Sequence, residues 1–208
     1  MSRFLALGDS YTVGEQVAPD QCWPSQLTRV LRRHGVMLDD PEIVARTGWT
    51  TDELSAAISA AAIAPIYEMV SLSIGVNNQY RGGSLERYHQ EFAKLLVQAI
   101  GFAGGHVGHV VVLSIPDWGV TPFAKQHIQS RGKTAENPTG ISEAIDRFNA
   151  VNRRETVAAG AHYVDITAAS RERHADWLAA DGLHPSGAQY ARWTELVTPT
   201  ALEAFAAT

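Results

Sequence analysis

The sequence predicts an α/β protein in which a parallel sheet is covered by helices on both faces. Short apolar runs alternate along the chain with longer segments of helical periodicity. The runs at residues 70–74 and 110–113 are typical of strands buried inside a parallel sheet. Because strands and helices alternate, we expect right-handed βαβ crossovers to join consecutive strands.

Five strands are predicted from the apolar runs, at residues 4–7, 42–46, 69–74, 109–115 and 162–166. Five helices are predicted between and after them, at residues 25–34, 51–62, 85–103, 142–159 and 186–203. Thr51 is a candidate N-cap of the second helix, because Asp52 and Glu53 follow it and acidic residues stabilise the first turn of a helix.

One long segment, residues 116–140, has no predicted helix or strand. It contains Pro116, Pro122 and Pro138 together with three glycines. Loops of this length in compact domains are usually functional or disordered. We therefore interpret residues 116–140 as a lid or as one wall of a substrate site.

Length and composition favour one globular domain over residues 1–208 and exclude several classes of function. The chain is 45% hydrophobic and 19% charged, and it is long enough to bury a core without disulfides. A net charge of −5 argues against nucleic-acid binding through a basic surface and gives no attraction to anionic membranes. The single cysteine, Cys22, excludes an intrachain disulfide.

Localisation is predicted from the apolar segments. No run approaches the roughly 18 apolar residues of a membrane span, and no separate signal peptide precedes the first predicted strand. We therefore expect a cytoplasmic protein, although a chain trimmed of its export signal would have the same pattern.

Three residues near opposite ends of the chain carry the groups of a nucleophilic hydrolase. Ser10 follows the first predicted strand, within Leu7-Gly8-Asp9-Ser10, where an α/β sheet presents catalytic groups. Asp181 and His184 precede the last predicted helix, at a spacing that lets the carboxylate hold Nδ1–H while Nε2 takes the proton of Ser10. Taken singly, Ser10 is also compatible with an ordinary turn, and Asp181 with a turn cap beside a surface histidine.

Two further segments that end predicted strands supply donors for a developing oxyanion. Asn77, in Gly75-Val76-Asn77-Asn78, can donate its side-chain amide. Gly48, in Thr47-Gly48-Trp49, can present its backbone N–H because no side chain blocks close approach. Each segment alone is compatible with a turn, but the carboxyl ends of parallel strands meet at one edge of the sheet, so together they indicate a hydrolase.

These blocks, in this order from residue 7 to residue 184, resemble those of the SGNH, or GDSL, hydrolase superfamily. The resemblance implies a three-layer α/β/α sandwich with about five parallel strands, a flavodoxin-like arrangement. It implies Ser10 as nucleophile, Asp181 and His184 as its partners, and an oxyanion hole formed by Ser10, Gly48 and Asn77. It further implies hydrolysis of esters or thioesters without a metal or another cofactor.

Two residues depart from the family's usual pattern. Tyr11 stands where the family often has leucine, which changes the floor of the predicted site. Asn78 replaces the usual aspartate after Asn77, and an amide keeps some hydrogen bonds of a carboxylate but not its charge. We expect this replacement to alter the support of the Ser10 loop.

A set of mostly aromatic residues near the predicted strand ends is expected to line the substrate site: Tyr11, Trp49, Tyr80, Asp117, Trp118 and Phe123. The aromatic side chains favour an acyl or aryl pocket, with packing at the rim as an equal alternative. Asp117 either orients the substrate or caps the turn before Trp118.

The sequence therefore predicts a serine esterase that hydrolyses carboxylic esters or thioesters through an acyl-enzyme on Ser10. A carbohydrate O-deacetylase or an acyltransferase of the same fold is an alternative, and a non-catalytic binding module is an alternative of another class. The expected partner is a small-molecule ester, without nucleic acid, metal or stable membrane insertion. Acyl length, alcohol and oligomeric state stay open.

Overall fold

The structure, a computed structural model, describes residues 2–63, 66–131, 138–172 and 174–206. Its five strands form one parallel sheet in the order β2-β1-β3-β4-β5. The strands are β1 (Phe4–Gly8), β2 (Glu42–Ala45), β3 (Met69–Ser73), β4 (Val110–Leu113) and β5 (His162–Val164). The predicted α/β fold with about five parallel strands is confirmed.

Helices cover both faces of this sheet. The central strands β1, β3 and β4 are buried at every position, which requires a helix layer on each side. In one layer α2 (Trp23–Arg33) packs against α9 (Gly187–Ala206). In the other, α5 (Leu85–Phe102) packs between α3 (Thr51–Ala60) and α7 (Pro138–Ala159).

Four further helices complete the α-helical structure of the described residues: α1 (Ser10–Val13), α4 (Val76–Tyr80), α6 (Pro122–Arg131) and α8 (Thr167–Arg171). Single 3₁₀ turns lie at Pro19–Gln21, Val107–His109 and Trp118–Val120. Helices of four or five residues are too short to show an apolar period, which is why the sequence did not predict α1, α4 and α8. Over the described residues, every helix is too short or too polar to cross a bilayer.

The interpretation of residues 116–140 as one irregular segment is wrong. It contains the 3₁₀ turn Trp118–Val120, the helix α6 and the first residues of α7, while residues 132–137 lie outside the described residues. Pro122 and Pro138 stand at the first positions of α6 and α7, where a missing N–H costs no hydrogen bond. The prolines that suggested a loop therefore mark two helix starts.

The predicted N-cap of α3 is shifted by one residue. Thr50, not Thr51, caps this helix, and the Glu53 carboxylate accepts a hydrogen bond from the Thr50 N–H at 2.9 Å. This reciprocal arrangement is a capping box, which satisfies backbone donors at both positions. The acidic residues that suggested a cap thus lie in the first turn of the helix.

Gly8, the last residue of β1, lets the chain turn sharply into α1. A Cβ at this position would lie 2.1 Å from Thr12 Oγ1 and 2.5 Å from the Ser73 carbonyl oxygen. Both distances are far below van der Waals contact, so a side chain would force α1 away from β3.

We predict that Gly8→Ala lowers the free energy of unfolding by about 1–3 kcal/mol, the usual cost of overpacking a core. Urea denaturation measures the change. Gly101→Ala is the matched control, because an added Cβ there meets no atom within 4 Å. Because Gly101 is the next-to-last residue of α5, that substitution should raise stability by no more than about 1 kcal/mol. Equal effects of the two substitutions would contradict the close-packing argument.

Candidate active site

The structure brings four of the five predicted catalytic and oxyanion-hole residues to one cleft at the carboxyl edge of the sheet. Ser10, Gly48, Asn77 and His184 all line this cleft, which has a volume of about 190 Å³. Ser10, Gly48 and Asn77 follow β1, β2 and β3, whereas His184 precedes α9. Residues separated by most of the chain therefore share one concave surface.

Asp181 lies behind His184 and fixes its ring. His184 Nδ1 is 2.6 Å from Asp181 Oδ2, and Oδ1 accepts the N–H groups of Leu183 and His184, each at 3.0 Å. Partial burial raises the pKa of the Asp181 carboxyl, but these hydrogen bonds outweigh it, so its pKa lies below the ordinary value. Asp181 is therefore an ionised acceptor at neutral pH.

The second ring nitrogen of His184 is left for another partner, because Nδ1 is occupied by Asp181. The hydrogen bonds between described residues do not include one from Ser10 Oγ to His184. Such bonds are often long in a free enzyme and shorten when substrate binds.

Ser10 is the first residue of α1, and Asp9 caps this helix. The Asp9 side chain accepts a hydrogen bond from the Tyr11 N–H at 3.0 Å. Burial raises the pKa of the Asp9 carboxyl to about 7, and the hydrogen bond from Tyr11 offsets only part of this effect. The residue before Ser10 is thus a buried acid that is partly protonated near neutral pH.

Tyr11 forms the floor of the cleft beneath the imidazole. Its ring centroid lies 5.5 Å from that of His184 and 6.0 Å from that of Trp193 in α9. The side chain is buried, and burial raises the pKa of its hydroxyl far above the ordinary value. Tyr11 is therefore a neutral aromatic support that joins α1 to His184 and α9.

Gly48 occupies a tight turn that the sequence motif alone did not define. Its φ is +88°, in the region that favours glycine, and the Trp49 N–H donates to the Arg46 carbonyl oxygen at 3.2 Å. The Thr47 hydroxyl donates to the Glu15 carboxylate. Thr47 also lines the cleft, together with Val76 and Leu183, which sequence reasoning did not select.

Asn78 supports α3 and makes no hydrogen bond to the Ser10 loop in the described structure. Its Oδ1 accepts the Thr51 N–H at 3.1 Å, and its Nδ2 donates to Thr51 Oγ1 at 2.7 Å. The Thr51 hydroxyl in turn donates to the Glu91 carboxylate at 2.5 Å. Because the Thr51 hydroxyl has one hydrogen, this chain of bonds needs the amide donor that asparagine supplies and aspartate lacks.

Three of the predicted aromatic residues, Tyr80, Trp118 and Phe123, form one wall of the cleft. The Trp118 ring centroid lies 5.3 Å from that of Tyr80 and 6.2 Å from that of Phe123. Trp118 Nε1 donates to Gln79 Oε1 at 2.7 Å, which gives the buried indole N–H a hydrogen-bond partner among apolar neighbours. The wall is therefore built from α4, α6 and the 3₁₀ turn between β4 and α6.

Trp49 and Asp117, also predicted to line the site, lie outside the residues that form this cleft. Asp117 is fully buried, accepts the Gly119 N–H at 2.8 Å and pairs with Arg171 Nε at 2.8 Å. It caps the turn that carries Trp118, which agrees with the second of the two interpretations considered for it. No metal-binding group of three or more His, Cys, Asp or Glu side chains occurs among the described residues.

The carboxyl edge of a parallel α/β sheet, where this cleft lies, is the usual place for a ligand site in such folds. The chain belongs to the GDSL-like Lipase/Acylhydrolase family, whose model matches residues 6–192. No curated protein sequence matches it significantly.

Solved structures share the fold at low sequence identity. The crystal structure of TesA superposes with a TM-score of 0.71 at 20% identity, covering 96% of this chain and 97% of that one. The lipase/acylhydrolase from Enterococcus faecalis gives 0.64 at 18% identity, with 96% and 94% covered. Axe2, an acetylxylan esterase from Geobacillus stearothermophilus, gives 0.69 at 17% identity, with 98% and 94% covered.

We predict that Asn78→Asp lowers the free energy of unfolding by about 1–3 kcal/mol, because the new carboxylate competes with Glu91 for the single Thr51 hydroxyl hydrogen. Urea denaturation measures the loss at neutral pH. In the double variant with Glu91→Gln, much of the loss should be recovered. The amide at position 91 can donate to the Thr51 hydroxyl, which is then free to donate to the carboxylate at position 78. Additive losses in that cycle would refute the shared network.

Asp9 gives a prediction for the pH dependence of stability. In the folded protein its carboxyl has a pKa of about 7, raised from 3.8. Between these values the folded state holds a proton that the unfolded state releases, so stability falls as pH rises and levels off above 7.

Asp9→Asn removes this titration and keeps an acceptor for Tyr11. Its stability relative to the wild type should therefore grow from pH 4 to pH 7, by at most about 1.4 kcal/mol per pH unit. Chemical denaturation at several pH values measures the difference. Asp40→Asn is the control, since the Asp40 side chain is 88% exposed. If the difference in the free energy of unfolding between the wild type and Asp9→Asn does not change with pH, the raised pKa of Asp9 is contradicted.

Proposed function

We propose that the chain is a serine esterase that hydrolyses carboxylic esters through an acyl-enzyme on Ser10. One observation carries the proposal: His184 shares a cleft with Ser10 and holds Asp181 at 2.6 Å through its other ring nitrogen. A hydroxyl, an imidazole and a carboxylate in that order form the apparatus for activating a serine nucleophile.

In the first half-reaction, His184 Nε2 removes the proton of Ser10 Oγ as the oxygen attacks the ester carbonyl carbon. The carbonyl oxygen becomes an oxyanion, which the N–H groups of Ser10 and Gly48 and the amide of Asn77 stabilise. Asn77 has two N–H bonds on Nδ2, of which one already binds the Trp49 carbonyl at 2.9 Å, so the other is the donor to the oxyanion. His184 then protonates the leaving alcohol, and the acyl group stays on Ser10.

In the second half-reaction, His184 removes a proton from water, which attacks the acyl-enzyme. The tetrahedral oxyanion uses the same donors, and Ser10 leaves with the proton that His184 returns. Asp181 stabilises the imidazolium in both half-reactions because it is ionised and bonded to Nδ1.

The apolar wall of Tyr80, Trp118 and Phe123 favours esters with a hydrocarbon or aryl group over polar substrates. A buried CH₂ contributes about 0.8 kcal/mol, so each added methylene should raise kcat/KM about fourfold until the cleft is full. We expect kcat/KM to rise from acetate, reach a maximum and fall for long chains, because the cleft holds only about 190 Å³.

A panel of p-nitrophenyl esters of increasing acyl length tests this specificity, beside acyl-thioesters and acetylated xylo-oligosaccharides. Higher kcat/KM on the thioesters would make the protein a thioesterase, and higher kcat/KM on the sugars would make it a deacetylase. Labelling of Ser10 by a fluorophosphonate distinguishes an enzyme from a binding module. A folded protein that is not labelled would overturn the proposal.

We predict that Ser10→Ala and His184→Ala each abolish most activity and that their double variant loses no more than either alone, since the two side chains act as one unit. Asn77→Ala should lower kcat by about 10²–10³, as removal of one oxyanion donor does. Steady-state kinetics on the best ester measure these losses. A change within threefold for Asn77→Ala would exclude Asn77 as an oxyanion donor.

A further inference from the structure

Arg81, which directly follows α4, binds the turn that carries Gly48. One Nη atom of its guanidinium donates to the Gly48 carbonyl oxygen at 2.6 Å. The other Nη atom pairs with the Glu53 carboxylate at 3.3 Å. Because Glu53 also accepts the Thr50 N–H at 2.9 Å, Arg81 ties the turn to the first residues of α3.

Asn77 makes the neighbouring attachment. Its amide donates to the Trp49 carbonyl oxygen at 2.9 Å. Asn77 and Arg81 are four residues apart across a helical turn, so their side chains lie on the same face. Two successive carbonyl groups, those of Gly48 and Trp49, are thus held by one short segment.

Gly48 is the residue in this turn that most needs such support. With no Cβ and a φ of +88°, it can adopt several backbone conformations at little cost. The Trp49 N–H, which belongs to the same peptide group as the Gly48 carbonyl, donates to the Arg46 carbonyl and closes the turn. Arg81 binds the carbonyl oxygen of that same peptide group, so the peptide plane that follows Gly48 is held from both of its sides.

We propose that Arg81 is a positioning residue that holds the Gly48 N–H where an oxyanion forms. The inference rests on the proposed function, in which Gly48 is an oxyanion donor. Arg81 lies outside the residues that form the cleft, so it acts through Gly48 and not by contact with substrate. Donors of this kind stabilise a transition state only when they are placed within a fraction of an ångström, and a shift of 1 Å can cost about 10²-fold in rate.

The test compares Arg81→Ala with the wild type by stopped-flow kinetics on p-nitrophenyl acetate. The acylation rate constant should fall about 10- to 100-fold, because Gly48 is displaced but not removed. The dissociation constant of the ester should stay within twofold, since Arg81 does not touch the substrate. Affinity for a boronic acid, whose adduct with Ser10 is tetrahedral, should fall by the same factor as the acylation rate.

Two further variants separate positioning from a general structural role. Arg81→Lys keeps a charged donor for the Gly48 carbonyl and should recover most of the lost rate. Arg87→Ala is the matched control, because Arg87 pairs with Asp52 at 3.3 Å and Glu91 at 2.5 Å and does not bind the turn. Both arginine side chains are more than half exposed, so we expect every variant to fold, which thermal unfolding verifies.

An acylation rate for Arg81→Ala within twofold of the wild type overturns the inference. So does an equal loss in Arg87→Ala, or an Arg81→Lys variant no faster than Arg81→Ala. Wild-type protein that is not acylated and is not labelled by a fluorophosphonate overturns the proposed function itself, and the inference with it.

Discussion

The packing of the last helix against the first long one is the constraint on which the rest of the cleft depends. Trp23 and Trp193 are fully buried, and Gln26 donates to the Gly187 carbonyl at 2.9 Å, so α9 is fixed in position and register against α2. His184 lies three residues before α9, and Tyr11 contacts both His184 and Trp193. Ser10 and His184 therefore line one cleft because the hydrophobic interface between α2 and α9 fixes the segment that carries His184.

Two kinds of interaction determine the geometry of the cleft and of the residues around it. Apolar contacts set its shape, through Tyr11 beneath the imidazole and through Tyr80 and Trp118 along one wall. Directional polar contacts set the orientation of single groups, such as Asp181 on His184. Asn78, which stands where the family usually has aspartate, makes contacts of the second kind. Its amide binds Thr51, and the Thr51 hydroxyl binds Glu91.

Much of the fold was predictable because strands β1 to β5 are apolar runs separated by long helices with clear periodicity. The short helices α1 and α4 were not, because four or five residues give no period. Residues 116–140 were misread, since prolines signal a loop and a helix start equally well. Site residues at strand ends could be selected from the sequence, whereas Arg81 could not, because nothing in its neighbours specifies a bond to a carbonyl 33 residues earlier.

The order of the groups along the chain has a consequence for biosynthesis. Ser10 is translated long before His184 and the helix that anchors it, α9. A nascent polypeptide that stops before His184 and α9 lacks the proposed base beside Ser10 and the interface that holds it. Ester cleavage by this protein would therefore require that synthesis has passed α9 and that α9 has packed against α2.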